Sequence, residues 1–200
     1  MKGIILLNGE PYSGKIAAEG ALVYCCDGAY RWAKNKVRID KNLGDFDSLD
    51  EIPFPPPEEV YPSEKDFTDG EIALFQLLDK GVDEIEIYGG GGGREDHFLG
   101  NLHLLYRAHA NGVKCKMITD NSLIFPASGK IFLGKFAGKT LSVLPFGGEL
   151  HIIDSAGLKY SYPPCLSYGE CRGISNISQS PSAYLTVEGC ALVIINGGEV

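Results

Sequence analysis

Two runs in which every residue is apolar, Ile4–Leu7 and Ala21–Cys26, constrain what this chain can fold into more than any other feature. A strand with one face in water alternates apolar and polar residues. A strand covered on both faces reads as a continuous apolar stretch, and such strands belong to parallel sheets flanked by helices. A third run, Glu84-Ile-Glu-Ile-Tyr88, alternates and then breaks into five glycines, and a fourth, Val113–Thr119, follows Asn111-Gly112, a good helix stop. Two helices are marked between them. Thr68-Asp-Gly-Glu71 has the capping-box spacing and leads into Ile72, Ala73, Phe75, Leu77 and Leu78. Phe98, Leu102, Leu105 and Ala108 give the other its apolar stripe. Strands separated by helices predict an α/β domain with a mainly parallel sheet.

The texture changes after about residue 121. Ile131–Leu133, Thr140–Leu144, Leu150–Ile153, Ala183–Val187 and Ala191–Ile195 are short, rich in β-branched residues and set between Gly, Pro and Ser. This predicts an all-β C-terminal domain, a small antiparallel sandwich or barrel. The expected domains are 1–124 and 125–200, and Pro53–Pro57 reads as a stiff surface connection within the first.

Composition narrows the partners. With 44% hydrophobic and 22% charged residues the chain reads as an ordinary globular protein. A net charge of −8 argues against nucleic acid, whose phosphates are held by Lys and Arg, but permits a nucleotide carried on a cation. The apolar run near the start, Ile4–Leu7, is too short for a signal-peptide core or a membrane span. Six cysteines without a Cys-x-x-Cys pair predict buried free thiols in a reducing compartment, hence the cytoplasm. A β-turn can bring Cys165 and Cys171 together, though a redox role is disfavoured. His103, His109 and His151 show no ligand spacing and read as surface or helix residues.

Four acidic or glycine-rich segments stand where strands end and helices begin, the edge at which open α/β sheets bind ligands. They are Asp27-Gly28, Gly44-Asp-Phe-Asp-Ser48, Glu64-Lys-Asp-Phe-Thr-Asp69 and Gly89–Gly93 followed by Arg94-Glu-Asp-His97. If the second is extended, Asp45 and Asp47 point to one face and can converge on a cation. Magnesium takes one or two carboxylates plus substrate phosphates. The glycine run is neither a Walker A loop, which ends in Gly-Lys-Ser/Thr, nor a dinucleotide fingerprint, since Arg94 falls where the last glycine belongs. A glycine run between a strand and a helix still exposes N–H groups suited to phosphate, and Arg94 adds a forked donor. Each segment alone is equally an ordinary turn, a helix cap or a flexible loop. Together they point to phosphoryl chemistry.

Asp27-Gly28, Gly44-Asp-Phe-Asp-Ser48, Lys65-Asp-x-Thr-Asp69, Gly92-Gly93-Arg94-x-Asp96-His97, Gly157-Leu-Lys-Tyr160 and Gly173-Ile-Ser-Asn176 resemble the ordered motifs of thiamin pyrophosphokinases. The resemblance spans about residues 21 to 195. It implies a homodimer that binds thiamin between an α/β catalytic domain and a β-domain, and transfer of the pyrophosphoryl group of ATP to the thiamin hydroxyl. By the same resemblance Asp45, Asp47 and Asp69 hold Mg2+. ATP and its phosphates meet Asp27, Gly28, Ser48, Lys65, Thr68, Gly91, Gly92, Gly93 and Arg94. The catalytic group is Asp27, Asp47, Thr68, Asp69, Arg94 and Asp96, while thiamin meets Tyr160, Ser175 and Asn176. Two features depart from the pattern: Ala29 stands where the family often has a second glycine, and the proline-rich stretch from Ser48 to Tyr61 does not align. A magnesium-dependent kinase or nucleotidyltransferase acting on another small alcohol, and a non-catalytic nucleotide or thiamin sensor, remain as alternatives.

Overall fold

The computed structural model describes residues 1–197 except Ser48, Glu59, Ser63 and Lys65. The predicted phosphate contacts Ser48 and Lys65 therefore lie outside the described residues. The chain divides into two compact units, Met1–Asp120 and Asn121–Val200.

Among its described residues the first unit carries five strands: β1 (Lys2–Leu6), β2 (Leu22–Cys26), β3 (Lys41–Leu43), β4 (Glu84–Tyr88) and β5 (Lys114–Ile118). They lie in the order β3-β2-β1-β4-β5, and every adjacent pair is parallel. The continuous apolar runs account for this, because Ile4, Ile5, Leu6, Val23, Cys25 and Cys26 are all buried. Among the described residues three α-helices accompany the sheet: a single turn, α1 (Tyr30–Ala33), then α2 (Asp69–Asp79) and α3 (Glu95–Ala110). Thr68 caps α2 as its spacing predicts, accepting from Glu71 N at 3.2 Å while its own N–H donates to the Glu71 carboxylate at 3.1 Å. Ala73, Leu74 and Leu77 of α2 are fully buried, and burying each leucine contributes about 1.5–3 kcal/mol.

Strand β4 shows why its sequence alternates. Ile85 and Ile87 are buried on one face, and on the other Glu86 is buried as well, bonded to Lys2 Nζ at 2.5 Å, Lys116 Nζ at 2.8 Å and the Tyr88 hydroxyl at 2.9 Å. Burial alone would raise the Glu86 pKa, but these three partners outweigh it and hold the carboxyl below its usual range.

The chain runs from β1 outward to β3, then returns to the other side of β1 for β4 and β5. The strand order thus reverses between β1 and β4, and a doubly wound sheet opens its binding crevice at the carboxyl ends of the strands at such a point.

The second unit contains β6 (Ser122–Phe132), β7 (Thr140–Pro145), β8 (Leu150–Ala156), β9 (Cys165–Leu166), β10 (Asn176–Ile177) and β11 (Tyr184–Asn196), with no α-helix among its described residues. Among the described residues these strands pair with one another antiparallel. Strand β11 pairs with β6 along one edge, while its other edge pairs first with β8 and then with β7. Ala183–Val187 and Ala191–Ile195, which the sequence separates at Gly189, are one strand interrupted by a bulge.

Three of the six cysteines depart from the expectation of burial. Cys25, Cys26 and Cys115 are buried, whereas Cys165 and Cys190 are half-buried and Cys171 is exposed, and none of the six is in a disulfide. Among the described residues no helix is long and apolar enough to cross a membrane.

Candidate functional site

The carboxyl ends of the parallel strands surround a cavity of about 1050 Å³. Its floor comes from the switch point. The segments leaving β1 and β4 run side by side, with Gly9 N donating to Gly89 O at 2.8 Å and Glu10 N to Gly91 O at 2.7 Å. Asn8, Gly9, Gly92 and Gly93 line the cavity from these two segments. Gly91 is buried and does not line it, and Gly28, buried in the 3-10 turn Asp27–Ala29, does not either.

Asp27, Asp45 and Asp47 form one cluster, each offering a carboxylate oxygen within 4.8 Å of the others'. Asp27 follows β2, and the two others follow β3. The approach of these segments depends on Gly44, whose φ is +143° and where a Cβ would sit 3.0 Å from Asp27 Cβ. Asp45 and Asp47 converge through a turn, not an extended segment: Phe46 has φ +57° and Asp47 N donates to Asp45 Oδ1 at 3.3 Å. Asp27 is itself at φ +45°. Positive φ at two non-glycine residues in one acidic cluster is the kind of backbone strain that collects at functional sites, and each costs of order 1–3 kcal/mol. The third member of the cluster is Asp27, where the resemblance places Asp69. Asp69 is the first residue of α2 and lines the same cavity as Asp27 and Asp45. Three hard oxygen donors from two adjacent strand ends suit magnesium.

Across the cavity lie Thr68, Asp69 and Glu71 at the start of α2, and Arg94, Asp96 and His97 at the start of α3. Arg94 and Asp96 grip one another: Nε donates to Oδ1 at 3.1 Å and Nη2 to Oδ2 at 2.6 Å, both side chains being exposed. That bond holds the Asp96 carboxyl below the usual carboxylate range, and His97 N also donates to it at 2.9 Å.

Residues to which the sequence assigns no functional role complete the wall. Asn101, His103 and Arg107 of α3 line the cavity. Asn101 Nδ2 donates to Gly90 O at 2.9 Å and so ties the helix to the glycine loop. Arg107 lies 3.6 Å from the Glu71 carboxylate and 5.0 Å from the Phe75 ring centroid. The signal was helical spacing: residues 97, 100, 101, 104 and 107 share one stripe of α3, beside the apolar stripe used to identify the helix.

In the second unit, Tyr160, Ser175 and Asn176 come together. Asn176 is buried, accepting from Tyr160 N at 3.0 Å and Ile177 N at 2.8 Å and donating to Tyr160 O at 2.8 Å. Its amide thus fixes the backbone that carries Tyr160, whose ring is exposed with Lys159 Nζ 5.1 Å from its centroid. Ser175, at φ +63°, donates its N–H to Ser142 Oγ at 3.1 Å.

An acidic cluster beside a glycine-arginine loop, at the switch point of a parallel sheet, is the layout of an enzyme that handles phosphate groups. The sequence profile of "Thiamin pyrophosphokinase, catalytic domain" matches residues 14–117. A thiamine pyrophosphokinase of Bacillus subtilis is 38% identical over 67% of each chain. The crystal structure of a B. subtilis thiamine pyrophosphokinase is similar over 100% of this chain and 99% of that one, with a TM-score of 0.80 and 27% identity. Yeast thiamin pyrophosphokinase shares the fold at 17% identity, with a TM-score of 0.73 over 98% of this chain and 86% of that one. The chain belongs to the thiamin pyrophosphokinase family, and it is an enzyme of that activity.

Proposed function

We propose that the cavity at the carboxyl edge of the first unit binds ATP with Mg2+, and that the thiamin hydroxyl attacks the β-phosphorus. The new O–P bond makes thiamin diphosphate, the bond from the β-phosphorus to the α-phosphate bridging oxygen breaks, and AMP leaves with that oxygen. The hydroxyl proton passes to solvent. One observation carries the reading in a chain of this family: the carboxylates of Asp27, Asp45 and Asp47 meet within 4.8 Å beside the glycine loop.

Phosphoryl-type transfer depends mainly on positioning and charge neutralisation. Asp45 and Asp47, with Asp27, would hold the cation, and Asp69 at the start of α2 would join them by resemblance. When bound, Mg2+ neutralises triphosphate charge and polarises the phosphoryl oxygens. Gly92 and Gly93 offer backbone N–H groups to the phosphates at the entrance to α3. Arg94 contributes the guanidinium N–H groups that Asp96 leaves unused, and Asp96 orients it. Thr68 keeps the α2 N-terminus aimed at the phosphates. Ser48 and Lys65 belong to the phosphate contacts by resemblance.

The remaining assignments complete the proposal. The first unit, expected as residues 1–124, is the α/β catalytic domain, and the second, expected as 125–200, is a β-sandwich that recognises thiamin. Tyr160 supplies an aromatic face for the thiamin cation, on a segment held by Asn176 and next to Ser175. The enzyme works as a homodimer in the cytoplasm.

The test is to incubate the enzyme with ATP, thiamin and magnesium and to resolve the products. AMP and thiamin diphosphate should rise together and stop on chelation of the metal. ADP with thiamin monophosphate would overturn the reading.

A further inference from the structure

The second unit holds a group of ligating side chains that the reaction above does not use. Glu149, His151 and Cys165 each present a ligand atom, and the three atoms lie within 4.8 Å of one another. Strand pairing puts them there. His151 on β8 and Cys165 on β9 are directly opposed. The hydrogen bond from Ile152 N to Pro164 O at 2.8 Å marks them as a non-hydrogen-bonded pair, the type in which facing side chains come closest. Glu149, two residues before His151, shares its face, and its carboxylate lies 3.8 Å from His151 Nε2. The backbone there is held as well. Gly189, at φ +98° in the β11 bulge, approaches so closely that a Cβ would sit 2.5 Å from the Glu149 carbonyl oxygen. Glu149 and His151 are exposed, while Cys165 is half-buried with a free thiol, so a cation from solvent can reach all three.

The donor set differs in kind from the all-oxygen cluster of the first unit. One soft sulfur, one borderline imidazole nitrogen and one hard carboxylate oxygen make a mixed set, of the kind that zinc uses and magnesium does not. We propose that Glu149, His151 and Cys165 form a second metal site, which takes zinc or another borderline divalent cation and leaves its remaining position to solvent. On binding, the thiol gives up its proton to solvent as the metal–sulfur bond forms. Partial desolvation and the carboxylates of Glu149 and Glu170 raise the Cys165 pKa, and a dication at the same place reverses the sign of the local charge. The bound ion would clip β9, only two residues long, to β8.

The experiment is a titration of the full chain, stripped of metal under a non-thiol reductant, with Co2+ in saturating Mg2+. A thiolate-to-cobalt charge-transfer band should appear, persist in Cys171→Ser and vanish in Cys165→Ser. Zinc should bleach it by displacement. His151→Ala and Glu149→Gln should each weaken zinc by at least ~10-fold, the lower end of what losing even an outer-shell partner costs, with circular dichroism unchanged. Absence of the band in the wild type, its survival in Cys165→Ser, its suppression by magnesium, or unaltered zinc affinity in the His151 and Glu149 variants would each overturn the proposal.

Discussion

On one flank of the cavity stand Asp27 and Asp45, whose carboxylates come within 4.8 Å of each other and of that of Asp47, whereas on the other Arg94 and Asp96 have already met and neutralised each other. The first flank is built on constrained backbone, with Asp27 and Phe46 at positive φ and Gly44 allowing two strand ends to touch. The second is an exposed pair at a helix start, and such pairs contribute little because water screens them. The difference separates two jobs. Like charges pressed together gain from a cation and must be in place before it arrives. A solvent-screened ion pair can lend part of its guanidinium to a substrate and recover it at little cost.

The sharpest way to break this contrast is Asp47→Asn, which keeps the turn and removes one charge from the cluster. Turnover should fall by at least ~100-fold, since losing one preorganised electrostatic contact costs about 2.7–4 kcal/mol. Steady-state kinetics at saturating magnesium, with circular dichroism to verify the fold, checks it. A near-wild-type rate would make Asp47 a turn residue and erase the distinction between the flanks.

A smaller effect is expected where α3 meets the glycine loop. Asn101→Ala leaves Gly90 O without its 2.9 Å donor, and an unsatisfied buried group costs about 1–3 kcal/mol. The KM for ATP should rise about tenfold if Asn101 positions the phosphate loop, with the KM for thiamin nearly unchanged. Equal change in both, or in neither, would remove Asn101 from the argument.

How much of this was legible follows from what kind of signal each part leaves. The buried strands β1 and β2 and the Thr68 cap are local patterns, so apolar runs and capping-box spacing suffice. Strand β3, three residues long, and the single turn α1 are too short to show a period. The acidic segments were visible, but the companion of Asp45 and Asp47 was not. That Asp27 joins them depends on a contact between the ends of β2 and β3, and no spacing reports it. His151 and Cys165 make the same point in the second unit. Fourteen positions apart in the chain, they become neighbours only through the register of β8 and β9.

Asn176 sharpens the comparison from the second unit, because here a motif residue is buried and its amide is spent on backbone. Asn176→Ala should lower stability by about 1–3 kcal/mol through the stranded Tyr160 and Ile177 backbone groups. It should also raise the KM for thiamin, while that for ATP stays nearly fixed. A thermal melt alongside the kinetics separates the two effects. Loss of stability with no change in the thiamin KM would confine Asn176 to the fold.

The smallest effect belongs to Thr68, which caps α2 and also lines the cavity. Its hydroxyl accepts from Glu71 N, and removing such a cap costs about 1 kcal/mol. Thr68→Ala should therefore lower the melting temperature by a few degrees, and Thr68→Ser, which keeps the oxygen, should not. If the cap's only task is to hold the helix, kcat and the KM for ATP will be the same in both variants. If the α2 N-terminus is aimed at the phosphates, the alanine variant alone will lose ATP affinity, since a frayed first turn misplaces Asp69 and the N–H groups beside it. An equal loss in the serine variant would assign the effect to the Thr68 methyl group and take the helix terminus out of the site.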